Sequence, residues 1–156
     1  MKVTARRHST EPHIIGWREY VALPEWGIAH LEAKVDTGAR TSALHVDNLA
    51  RLPGERVKFD VVLSRKNPAR RVPVVADIVR VTRVRSSTGH QQERFVVATT
   101  IRLGGLRRQI ELSLVRREQM ICRMLLGRKA LVGFLVDVNR KHEHGRPQRR
   151  KRGGAS

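Results

Sequence analysis

Ala33-Lys-Val-Asp-Thr-Gly-Ala-Arg-Thr-Ser-Ala-Leu-His45 decides how the rest of the chain is read. The run leading into it, Ile28 to Val35, alternates: Ala29, Leu31, Ala33 and Val35 on one side, His30, Glu32 and Lys34 on the other. That is the period of a half-buried strand. The strand delivers Asp36 to a turn, Thr37-Gly-Ala39, whose side chains are small enough for other backbone to pass close by. Thr41 to Val46 then leaves as a second strand-like stretch. Alone, the tripeptide Asp-Thr-Gly fits an Asp that opens an ordinary turn as readily as it fits a catalytic carboxylate.

Outward from this segment the period-two pattern continues. Val57, Phe59, Val61 and Leu63 alternate and stop at Ser64-Arg-Lys-Asn-Pro68. Phe95 to Leu103 and Leu106 to Val115 predict an antiparallel hairpin, because Gly104-Gly105 between them supplies the positive φ angles of a two-residue primed turn. Val72 to Val84 is a Val- and Ile-rich run ending at Arg85-Ser-Ser-Thr-Gly-His90, which reads as an exposed hairpin tip. The one helix signal is short: Arg128-Lys-Ala-Leu-Val132, between Gly127 and Gly133. Short strands with tight turns predict a mainly β chain, closed into a barrel, with one short C-terminal helix.

The length of 156 residues fits one domain. Lys and Arg number 32 against 14 Asp and Glu, a formal charge of +18. Residues 139–156 hold seven Lys/Arg and one Glu, and residues 1–13 hold three and one. Both end segments are predicted disordered, leaving a basic domain over residues 14–138. No apolar run approaches the roughly 20 residues of a membrane span, and Met1 to Pro12 has no signal-peptide core, so a soluble cytoplasmic protein without membrane contact is expected. The lone cysteine, Cys122, cannot form an internal disulfide and reads as a small core hydrophobe. Aromatics are 4% of the chain, so Trp17 and Trp26 are read as core and base stacking has few residues to use. The excess of Arg is either a solvated surface or a draw for acidic partners such as RNA, ribosomes or polyglutamate segments.

Further segments join the first in a recognisable order. Ile15-Gly-Trp-Arg-Glu-Tyr20, Lys34 to His45, Thr99-Thr-Ile-Arg-Leu-Gly-Gly105 and Arg123-Met-Leu-Leu-Gly-Arg128 together resemble the bacterial family labelled "ATP-dependent zinc protease", which is retropepsin-like and associated with the RimK type of glutamate ligase. The resemblance covers roughly residues 14–138 and implies an acid-protease barrel with a peptidase site. In that site Asp36 would be the catalytic carboxylate, Thr37 would fix the turn by hydrogen bonding and Gly38 would allow close backbone approach. Ala39 and Arg40 would meet substrate, with Ser87, Thr88, Gly89 and His90 as a flap closing over it. An aspartic peptidase needs two carboxylates sharing one proton. The chain has a single Asp-Thr-Gly and no room for a second lobe, so the implied enzyme is a homodimer. The glutamate-ligase association makes acidic or glutamylated tails the implied substrate.

Arg40 departs from the retroviral pattern. A guanidinium beside Asp36 would favour ionised carboxylates; either Arg40 points away, or it holds an acidic substrate, or the shared-proton mechanism is not used. No phosphate loop and no zinc motif accompany the family label, so neither ATP nor zinc is expected as a cofactor. A metal-dependent peptidase would have to assemble Asp36, His45, Asp47 and His90 from separate segments, whereas His45 reads as a packed or hydrogen-bonded residue beside the turn. His142 and His144, two apart in the predicted tail, read at most as an adventitious metal site. A different class of function, a non-catalytic RNA- or ribosome-associated barrel, would bind through the basic surface and residues 139–156.

Overall fold

The structure is a computed structural model that describes residues 12–145. Its strands are β1 His13–Gly16, β2 Arg18–Leu23, β3 Ile28–Val35, β4 Ser42–Leu52, β5 Arg56–Val62, β6 Arg71–Asp77, β7 Arg80–Arg85, β8 Gln91–Leu103, β9 Leu106–Val115, β10 Met124–Leu126 and β11 Phe134–Asp137. The hydrogen-bonded order β10-β3-β2-β8-β9-β4 closes because β10 also pairs with β4. That makes a six-stranded closed barrel, the retropepsin-like architecture expected. Beyond it, β5 and β6 extend from the second half of β4, β7 pairs with β8, and β1 lies parallel to β11 as a separate ribbon.

The interior follows the aliphatic alternation. Leu31, Ala33, Leu44, Val46, Val57, Phe59, Val61, Val97, Leu112, Met124 and Leu126 are fully buried in one cluster. Trp26 meets the Phe59 ring edge-on at 5.5 Å. Gly104 and Gly105 have φ of +56° and +79°, and Leu103 faces Leu106 across the turn, as the two-residue hairpin requires.

Four local expectations differ from what forms. In β3, Ala29 is exposed and Ile28 buried, because an extra residue interrupts pairing with β2 between Val21 and Leu23 and shifts the inward face by one. The Val72 to Val84 run is two strands: the backbone N–H groups of Ile78 and Val79 go to Glu55 and Val96, which hands the chain from β5's edge to β8's. The predicted helix is a single 3-10 turn, Arg128–Ala130, a segment too short to nucleate an α-helix, and Pro24–Trp26 forms another.

The fourth concerns the domain's end. Residues 139–145, expected in the disordered tail, pack onto β1 and β2. The Arg140 carbonyl accepts from Trp17 N–H at 2.9 Å and His142 N–H donates to Arg18 carbonyl at 2.8 Å. Glu19, fully buried, accepts from the N–H groups of Gly16, Glu143 and His144 at 2.6, 3.1 and 3.3 Å. A Cβ on Gly16 would sit 2.3 Å from the Arg140 carbonyl oxygen, so only glycine admits this strap. The rest of the predicted basic tail, 146–156, and residues 1–11 lie outside the described residues. Among the described residues no helix is long and apolar enough to cross a membrane.

Candidate functional site

β10 builds the site by inserting between the strands on either side of Asp36. Its three residues run parallel to Ala33–Val35 and antiparallel to Ala43 and Leu44. This continues through the loop: Asp36 N–H donates to the Leu126 carbonyl at 2.9 Å, and Val35 N–H to the Trp17 carbonyl at 2.9 Å. Within the loop, Ala39 N–H donates to the Asp36 carbonyl and Gly38 N–H to Asp36 Oδ1, at 3.2 and 3.1 Å.

The 3-10 turn after β10 closes the loop's far side. Arg128 and Lys129 donate their backbone N–H groups to the carbonyls of Ala39 and Arg40, at 2.8 and 3.1 Å. Arg128 Nη1 adds a bond to the Thr37 carbonyl at 2.9 Å. Gly127 N–H reaches the buried Ser42 Oγ at 3.0 Å. Ser42 and Arg128 were missed as site residues, although both lie inside the quoted motifs; their roles need the strand insertion that sequence spacing does not show.

Gly127 is required by space. An added Cβ would lie 2.7 Å from Thr41 backbone carbon, with Thr41 oxygen and nitrogen at 2.8 and 2.9 Å. Gly127→Ala is expected to push β10 off the Asp36 loop and to destabilise by about 2–3 kcal/mol, a typical cost of overpacking. Urea unfolding of the two proteins checks this, and a loss below about 0.5 kcal/mol would show the contact is not tight.

The site residues fall into two groups. Asp36 is half-buried, Thr37, Gly38 and Arg40 are exposed, and Ala39 is half-buried, all on one clamped loop. Ser87, Thr88, Gly89 and His90 form the exposed tip of the β7–β8 hairpin, where Gly89 has φ of +82° and Ser86 Oγ is 2.9 Å from Thr88 Oγ1. Among the described residues no hydrogen bond or ion pair joins the tip to the loop. Nor does the Thr37 hydroxyl fix the turn; Asp36 Oδ1, the Asp36 carbonyl and Arg128 do that. Arg40 makes no ion pair with Asp36 among the described residues, and the guanidinium that serves the loop is Arg128.

The metal constellation does not assemble. His45 is buried on β4 with Nδ1 accepting from Arg117 N–H at 3.0 Å, Asp47 pairs with Arg71 at 3.4 Å, and His90 is at the hairpin tip. Among the described residues no three His, Cys, Asp or Glu side chains could hold an ion together. Among the described residues the zinc in the family label therefore finds no fitting ligand set.

Cys122 and Glu32 form a second polar cluster, with Glu32 also bonded to Arg18 and to His142 Nε2. His142 in turn stacks on Tyr20 at 4.8 Å. Burial, helped by the Glu32 contact, pushes the Cys122 thiol up to about 11, which makes it a poor nucleophile. Burial raises Glu32, but hydrogen bonds from Arg18, Cys122 and His142 outweigh it and hold the carboxyl below its ordinary value. Burial and then Arg123 hold the His45 imidazole below 6.5. Both groups have depressed native pKa values, so their stabilisation is present above the unfolded-state pKa and lost as pH falls through the native one. Thermal stability should thus fall in two stages, below about pH 6.5 and again below about pH 4.5. A Tm that rises between pH 7 and 5 would contradict this.

Comparison with known proteins agrees with the barrel. A family model described as "Retropepsin-like aspartic endopeptidase RimB" matches residues 14–148. Proteins named "Probable alpha-L-glutamate ligase" from Shewanella pealeana and Parasynechococcus marenigrum are 35% and 33% identical over 79% and 87% of this chain. The chain spans only 28% and 30% of their lengths. A crystal structure of the Legionella pneumophila protein Lpg0085, of unknown function, superposes with a TM-score of 0.69 and 25% identity, covering 84% of this chain and 97% of that one. With the family model matching most of the chain and the closed barrel in agreement with it, the chain belongs to the RimB-like family of retropepsin-like aspartic endopeptidases.

Proposed function

We propose that the chain is an aspartic peptidase that works as a homodimer, with Asp36 of each protomer contributing one carboxylate, and that it hydrolyses acidic, glutamate-rich protein tails. The observation that carries this is the state of Asp36: its backbone is fixed on both sides and one oxygen is held by Gly38. Its other oxygen has no partner among the described residues. A structural turn-starting Asp has no need of the inserted strand and the Arg128 clamp. One such carboxylate cannot share a proton with itself, so a second copy completes the pair. One Asp36 then takes a proton from water as the other donates to the scissile carbonyl oxygen, and the tetrahedral intermediate collapses as the leaving nitrogen is protonated. Ile14 and Leu135, adjacent across the β1–β11 ribbon, are 50% and 55% exposed and offer apolar surface to a second copy.

The choice of substrate is supported by the domain's basic balance and by the relatives' printed name, a glutamate ligase, in proteins more than three times as long as the match. The test is incubation of the full chain, across pH 4–8, with a peptide ending in a glutamate run and with its glutamine counterpart, followed by mass spectrometry. Shortened glutamate products are expected. Equal cleavage of both peptides would remove the acidic-tail reading, and no cleavage of either would remove the peptidase reading.

A further inference from the structure

Away from the Asp36 loop, a cavity of about 730 Å³ opens between the outer face of β2 and β3, the loop after β5 and the segment before β10. Arg18, Arg65, Lys66, Arg70 and Arg123 line it, and Glu32 is its one carboxylate. Glu32 is already occupied by Arg18, Cys122 and His142, so it does not neutralise the others. The nearby Asp47 is taken by Arg71.

Arg123 is the telling member. It is 4% exposed, its Nη2 donates to the carbonyls of Met120 and Glu118, and its Nε has no partner among the described residues. Burial, and then Arg65, disfavour its charged form. Cys122 and Asp47 favour the charge without outweighing burial and Arg65, and Asp47 is already paired with Arg71, so this buried guanidinium is costly unless an anion completes it. The volume suits a short ligand segment rather than a duplex, and forked guanidinium donors match carboxylates.

We propose that this cavity is a binding site for an acidic peptide segment, a second anchor for the substrate hydrolysed at Asp36. The inference rests on the peptidase reading only for the identity of the ligand. Glu32 in the cavity wall lies four residues before Asp36, roughly 13 Å along the strand, a span that about four extended peptide residues cover. Anchoring there would hold an acidic chain while its neighbouring residues reach the catalytic carboxylate.

The experiment measures binding, not cleavage, so an inactive peptidase and an absent site give different results. A fluorescent hexaglutamate is titrated into full-length Asp36→Asn protein by anisotropy. The comparison is with the same protein carrying Arg65→Glu and Arg70→Glu, both exposed, and with one carrying Arg102→Glu and Arg107→Glu, exposed on the β8–β9 hairpin and equal in charge change. Cavity reversal is expected to weaken binding by about tenfold or more and hairpin reversal by less than about threefold. Equal weakening by both pairs, or none by the cavity pair, would overturn the site. Tighter, cavity-dependent binding of an oligouridylate of the same length would overturn the peptide in favour of RNA.

Discussion

Asp36→Asn is expected to lower hydrolysis of a glutamate-tailed peptide by about 10³-fold or more, with the fold intact. The substitution keeps an oxygen where Asp36 Oδ1 accepts from Gly38 N–H, so the loop bond at 3.1 Å survives. The backbone clamps from Leu126, Ala39 and Arg128 do not involve the side chain at all. Stability should consequently change by less than about 0.5 kcal/mol, as for other half-exposed positions without a buried partner. What is lost is the acid–base exchange, since an amide neither takes a proton from water nor passes one to a carbonyl. In the proposed symmetric dimer one substitution removes both carboxylates at once. Residual activity within tenfold of the parent would place catalysis elsewhere.

Glu19→Ala should produce the largest loss of stability, about 3–5 kcal/mol, because it strands three N–H groups that a single carboxylate now satisfies. Glu19 is fully buried, with no ion pair among the described residues, and its three bonds join β1 to the strap at Glu143 and His144. A loss of that size is a large share of a domain's total stability and lowers Tm by about 10 °C. Glu19→Gln should recover part of it, since its one amide oxygen can still accept from two of the three donors. Hydrogen exchange at Glu143 and His144 distinguishes strap release from general weakening: with Ala in place, these amides should exchange faster than those of the β8–β9 hairpin. Retention of their protection would show that the strap is held by other contacts.

These two residues also mark what the sequence could reveal. The loop that carries Asp36 was legible because its residues are constrained in type: an alternating strand before it, Gly38 within it, and the apolar Met124 to Leu126 run before Gly127. The Gly104-Gly105 hairpin was legible for the same reason, positive φ being a property of the residue itself. The strap was not. Residues 139–145 are charged and nearly free of apolar side chains, the composition of a solvated tail, and they dock largely through backbone N–H and C=O groups, which every residue carries alike, with the His142 and His144 rings adding contacts to Glu32, Tyr20 and the Ile14 carbonyl. Glu19 had only its place in a quoted motif to suggest that it receives them. The bulge in β3 was hidden likewise, since Ala29 is apolar enough to suit either face. Arg123, charged and buried, shows the limit from the other side: composition places such a residue on the surface, and only the loops folded over β10's entrance put it inside.

The most direct measurement of the shared site is subunit mixing. Parent chain is coexpressed with a ninefold excess of Asp36→Asn chain carrying a second affinity tag, and activity on the glutamate-tailed peptide is compared per parent protomer. If both Asp36 carboxylates are needed, nearly every parent chain is trapped in a dead mixed dimer and specific activity falls about tenfold. Unchanged activity per parent chain would show that one Asp36 suffices and would contradict the two-chain site.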